Sequence, residues 1–166
     1  MSSIKPQTSR DNIERAFALS IYAKADALRT AELTRGERAR LREAIVGDLR
    51  KASDLLCHVT VSEAAQAEAA KRGVELAAMS WHDQPKFDRG RKVFHFEHLQ
   101  PIGSWLEAVC KQSSAEGVLA LLRKGFRIAW ILKVEDRRLT ELGYRSDRPD
   151  PGAAYQAAGI SLVGGG

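Results

Sequence analysis

Apolar positions recur at helical spacing through most of the first eighty residues. Phe17, Ile21, Ala25 and Leu28 share one face, and Asp11 with Glu14 has the spacing of a capping box, which predicts a first helix from Asn12 to Thr30 after a loose polar lead-in over residues 1–10. Thr34 with Glu37 repeats the device ahead of Leu41, Ile45, Leu49, Ala52 and Leu56, so a long second helix follows. The link between them is short, and an antiparallel pair is expected. Thr60 and Glu63 are read as opening a third, alanine-rich helix that Gly73 can end.

After Ser80 the pattern changes. Trp81–Lys92 is a turn-rich polar connector, and over Val93–Leu99 apolar and polar residues mix with β-branched and aromatic types, as in a strand. Alternation puts Phe94, Phe96 and His98 on one side, and Val93, His95, Glu97 and Leu99 on the other. Pro101 stops the strand. Ser104 with Glu107, and Ser113 with Glu116, then mark two amphipathic helices, the second ending at Gly125. Phe126–Lys133 is apolar on both faces, as a central strand is, and should pair with Val93–Leu99. A helix over Glu135–Leu142 is closed by Gly143, and a last one around Ala153–Ala158 is stopped by Gly159. These elements predict an α+β fold, predominantly helical, with N-terminal antiparallel helices followed by a small two- or three-stranded sheet packed against helices. Residues 1–80 would form the helical part, 81–163 the mixed part, and 164–166 a disordered tail.

The charge narrows the partners. The chain of 166 residues carries a formal net charge of +5, with an isoelectric point near 9.4, which suits a nucleic acid, DNA above RNA, and leaves a protein partner open. The run Arg35, Arg38, Arg40, Arg42, Arg50 and Lys51 is either a solvated helix face or a stripe that meets phosphates. Cys57 and Cys110 stand far apart with no Cys-x-x-Cys neighbour, so neither a zinc knuckle nor a disulfide framework is encoded. No apolar run is long enough to span a bilayer and no signal-like segment opens the chain, so a cytoplasmic protein is expected. Gly-x-Ser-x-Gly elbows and phosphate-binding glycine loops are absent from the sequence.

The densest chemistry lies in Val93–Ile102, which holds a carboxylate, two imidazoles and a proline. Glu97-His98-Leu99-Gln100-Pro101 resembles the first part of the HNH, or ββα-metal, nuclease motif. The resemblance implies that His98 deprotonates the attacking water and that Glu97 helps to hold a divalent cation, Mg²⁺ or Mn²⁺. The family draws further ligands from an asparagine in the loop and an asparagine or histidine in the next helix. No Asn or His follows His98 here, and Glu135 and Asp136 are the positional substitutes. On this reading Arg38, Arg42, Arg137, Arg138, Arg145 and Arg148 hold a nucleic-acid backbone for phosphodiester cleavage. The alternative is a non-catalytic module, regulatory or anti-defence, that binds DNA or protein through the same faces. His95 is expected as a sheet-face residue, with a transition-metal site of His95, His98 and Glu97 open only to a bent strand, since alternation puts the two histidines on opposite faces; His58 is expected as a core or cap residue.

Overall fold

The computed structural model describes residues 7–163. The tail 164–166 and the first six residues of the lead-in lie outside them. In chain order the elements are α1 (Gln7–Thr30), α2 (Arg35–Leu56), β1 (Val59–Ser62), α3 (Glu63–Lys71), a one-turn α4 (Gln84–Phe87), β2 (Phe94–His98), α5 (Ile102–Cys110), α6 (Ala115–Gly125), β3 (Ile128–Leu132), α7 (Lys133–Glu141), α8 (Pro151–Ala157) and β4 (Leu162–Val163). The fold is α+β and mainly helical. No described helix is long and apolar enough to cross a membrane.

The chain forms two compact units, one gathering residues up to Leu56 with Ile102–Phe126, the other Cys57–Pro101 with residues from Arg127 onward. This differs from a single boundary after residue 80. Strand β1 and helix α3 belong with the sheet, while α5 and α6 return to the N-terminal helices.

In the helical unit, Ile21, Ala25 and Leu28 of α1 and Ile45, Leu49 and Ala52 of α2 are buried, as the periodicity predicts, while Ala18 is buried and its neighbour Phe17, expected on the stripe, is half-buried. The two helices are antiparallel, because Ser20 and Lys24 bond Asp48 whereas Arg38 reaches back to the Leu28 carbonyl. Thr34 and Glu37 form the expected reciprocal cap. Asp11 and Glu14 do not open α1, which already includes residues 7–10; both accept hydrogen bonds from Arg123 on α6. Helix α6 is capped by Ser114, which accepts from the Gly117 N–H, one residue beyond the expected Ser113.

The sheet unit holds four strands in the order β2-β3-β1-β4, one more than the upper expectation of three. Strands β2 and β3 pair antiparallel, as expected, with His95 opposite Ile131 and Glu97 opposite Ala129. Strand β1 runs parallel to β3 and antiparallel to β4. The segment expected to begin the third helix is therefore a strand, and Ser62 is the cap, accepting from the Ala65 N–H. One sheet face packs Val61, Phe94 and Trp130 against Ala65, Ala69 and Leu76. The other packs Ala129 and Ile131 against Leu139 of α7, Ala154 and Tyr155 of α8, and Ala158 directly after it. His95 and Glu97 share that second face, because each stands opposite one of its β3 residues.

The start of β2 is fixed by a buried carboxylate. Asp88 accepts from the backbone N–H groups of Lys92, Val93 and Phe94 and from the Gln84 amide, across a tight turn in which Gly90 and Arg91 both have positive φ. Burial would raise its pKa, but the hydrogen bonds outweigh that and hold it below the usual aspartate value.

Candidate metal centre

The site is built from a strand and a helix that follow one another around β3. Alternation along β2 sends His95 and Glu97 to one face, two residues apart. Helix α7 begins directly after β3, so Asp136 in its first turn comes to the same place. One donor atom from each of His95, Glu97 and Asp136 lies within 4.8 Å of the other two, the only such trio of potential ligand groups among the described residues. His95 Nε2 is 2.9 Å from Glu97 Oε2 and 3.9 Å from Asp136 Oδ1. The His95 and Asp136 side chains remain 36% and 37% exposed, against 14% for Glu97, so the trio opens to solvent on one side.

Beneath Glu97 lies Arg148, which is 1% exposed. Its guanidinium donates to Glu97 Oε1 at 2.9 Å and to the backbone carbonyls of His98, Leu99 and Tyr144. Glu97 is thereby held by one oxygen and offers the other to His95. For Glu97, burial would raise the pKa, yet its bond to His95 and the charges of His95 and Arg148 bring it below the usual value. For His95, burial would lower the pKa, and the bond to Glu97 with the charges of Glu97 and Asp136 raises it. The charge of Lys133, first residue of α7, opposes that rise. A mixed set of one imidazole nitrogen and two carboxylate oxygens is the chemistry that divalent transition cations accept.

The other residues singled out from the sequence are placed differently. His98 stands opposite Ile128 on the face of Phe94 and Phe96, away from Glu97 and Asp136, because adjacent strand residues point to opposite sides. The imidazole that meets the acids is that of His95. Glu135 is 2% exposed and accepts from the Ser62 hydroxyl at 2.6 Å and the Leu132 N–H at 2.7 Å, both on Oε2. It ties the start of α7 to the cap of α3 and stays outside the trio. Arg148 offers nothing to a phosphate, since its donors are consumed inside the protein. Arg138 lies 3.9 Å from Glu135, Arg42 pairs with Glu107, and Arg38 binds the Leu28 carbonyl, while Arg137 and Arg145 are exposed.

Two contributors were given other roles by the sequence. His95 carried a legible signal, the shared parity with Glu97. Arg148 was read as a surface cation, and its burial follows only from the fold. Comparisons of the chain with protein-family models, curated proteins and solved structures gave no match.

Proposed function

We propose that this protein cleaves phosphodiester bonds of nucleic acid, with a divalent cation held by His95, Glu97 and Asp136. The observation that carries the reading is the antiparallel β2–β3 pair running straight into α7, which brings these three donors within 4.8 Å of one another. That strand–strand–helix order is the one the ββα-metal resemblance implies, here with a long helical excursion between the strands. A divalent cation bound there supplies charge stabilisation at the phosphate oxygens and acidifies a bound water.

The chain's own groups do the rest. Arg148 fixes the direction of Glu97, Glu97 fixes the ring of His95, and the exposed side of the trio admits a substrate. Lys133 and Arg137 on α7, and Arg145 beyond it, are exposed cations suited to the anionic backbone of the substrate. The net positive charge of the whole chain favours the same partner.

The test is cleavage of a fluorescently labelled DNA strand by the purified protein with Mn²⁺, Mg²⁺ or EDTA. Cleavage should require the cation and fall by about 100-fold or more in His95→Ala and Asp136→Asn, the loss typical of removing a group that stabilises developing charge. His98→Ala, on the opposite face, should keep most of the activity. Cleavage that survives EDTA, or that follows His98 and ignores His95, overturns the reading.

A further inference from the structure

Of the three tryptophans, Trp130 and Trp105 are buried, at 0% and 4% exposure, whereas Trp81 is 42% exposed. A large indole left in solvent forgoes its burial, so what holds it there matters. Arg91 Cζ lies 3.3 Å from the ring centre, in stacking contact, and the same guanidinium donates to the Trp81 carbonyl at 3.4 Å. The His82 ring meets the indole at 5.2 Å with the two planes perpendicular. The indole is therefore exposed and held in place at once, which lowers the entropy lost when a flat ligand settles on it. Arg91 reaches this position through an unfavourable backbone: at φ 52° it is the one non-glycine residue with positive φ among those described, directly after Gly90 at φ 75°.

The charges around the pair are sorted by sign. Asp88 is 2% exposed and turned to the backbone N–H groups of Lys92, Val93 and Phe94, and Asp83 accepts from Ser80 and Lys86. Arg89 and Lys92, in the same turn as Arg91, stand exposed. An aromatic in solvent with one cation on its ring and others beside it is the combination that single strands of nucleic acid bind, since a base stacks on the ring and the phosphates meet the cations. A duplex keeps its base faces inside its own stack, and an acidic peptide brings charge without a flat face. We propose that Trp81 and Arg91 form a stacking site for one unpaired nucleobase, with Arg89 and Lys92 at the phosphates beside it. The partner is single-stranded nucleic acid. This assignment rests on the nucleic-acid reading above and names the form of strand engaged; the cation centre plays no part in it.

The test is binding of a short oligodeoxythymidylate to the purified full chain in EDTA, followed by tryptophan fluorescence and, in parallel, by the anisotropy of a labelled strand. Because Trp81 is the exposed tryptophan, a stacked base should quench the native emission. An abasic strand of equal length, with phosphates but no bases, should leave that emission nearly unchanged. By anisotropy, Trp81→Ala should bind the strand about tenfold more weakly, the scale of losing one stacked base, and Trp81→Phe should recover part of the loss. Added salt should weaken both proteins, because it screens the phosphate contacts, yet the ratio between them should hold. Arg91→Gly suits the left-handed backbone, removes the cation without strain, and should bind about threefold more weakly.

Equal titrations of the native protein and Trp81→Ala, or equal quenching by the abasic strand, overturn the stacking site. A duplex of the same length that competes as well as the single strand also overturns it. So does polyglutamate that competes as well at equal charge, which would make the patch a surface for acidic peptides. The two proposals fail separately. His95→Ala, which removes a cation ligand, should leave the quenching in EDTA intact, whereas a native protein that cleaves with Mn²⁺ but shows no binding dependent on Trp81 keeps the cation centre and loses the stacking site. If the native protein binds no nucleic acid at all, both fall.

Discussion

Among single residues, Asp88 and Arg148 do the same job with opposite charge. Each is a buried ion that collects backbone groups at an end of β2: Asp88 gathers the three N–H groups of Lys92, Val93 and Phe94 where the strand starts, and Arg148 gathers the His98 and Leu99 carbonyls at its close. Buried ions are tolerated when hydrogen bonds replace their lost hydration, and here they fix the strand that carries His95 and Glu97. Asp88→Asn replaces a charged acceptor by a neutral amide that offers one oxygen to these donors. We expect a loss of about 3 kcal/mol at neutral pH, the scale of one or two charge-assisted hydrogen bonds, measured by denaturant unfolding. Because the folded pKa lies below the ordinary value of 3.8, the contribution of Asp88 is complete above that value and disappears as the pH falls through the lowered one. The gap between native and variant proteins should close in acid. A gap that stays constant down to strongly acidic pH would mean that the carboxylate charge is not what holds the turn.

At the scale of elements, what could be read from the sequence depended on how local the cause was. The β2–β3 pair was legible because alternation and a doubly apolar run are written in consecutive residues, and the cap at Thr34 and Glu37 because its partners are three apart. Strand β1 was not, since Val59-Thr60-Val61-Ser62 is four residues long and becomes a strand only through β3 and β4 on either side. Its Thr60–Glu63 spacing also imitates a cap, whereas Ser62 does the capping. In the candidate site, Glu97 and Asp136 stood out as acids at a strand end and a helix start. His95 needed only the parity rule, but Arg148 acts through burial that no short window encodes. The end of α7 shows how such burial is prepared: Gly143, at φ +84°, turns the chain so that the Tyr144 N–H bonds the Leu139 carbonyl, and the Tyr144 carbonyl accepts from Arg148. A Cβ at Gly143 would meet nothing within 4 Å. Gly143→Ala should therefore cost only backbone strain, about 1–2 kcal/mol, seen as a lower denaturation midpoint with the same denaturant dependence. A markedly larger cost would show that the turn carries more than its own conformation.

For the whole molecule, the path of the chain limits how it can be divided. The sheet unit is interrupted between β2 and β3 by 102–126, which completes the helical unit, and the interruption starts and ends at neighbouring points because the Leu99 N–H bonds the Arg127 carbonyl at 3.1 Å. Buried Trp105, Leu106 and Val109 of α5 and Val118, Leu119 and Leu122 of α6 lie in the same unit as the buried stripes of α1 and α2. A chain cut after residue 80 would leave α1 and α2 without α5 and α6, with Ile21, Ile45 and Leu49 lacking part of their cover. It would also leave β1 without β3 and β4, and α3 without the sheet it caps. Hydrophobic burial is the main favourable term in folding, and three helices with a stray strand, stripped of these partners, retain too little of it to offset chain entropy. Residues 1–80 expressed alone should give no cooperative thermal transition by circular dichroism, whereas the full chain should give one. A sharp melt from that piece would mean that the first two helices form a core without α5 and α6, and that the long excursion between the strands serves something other than completing it.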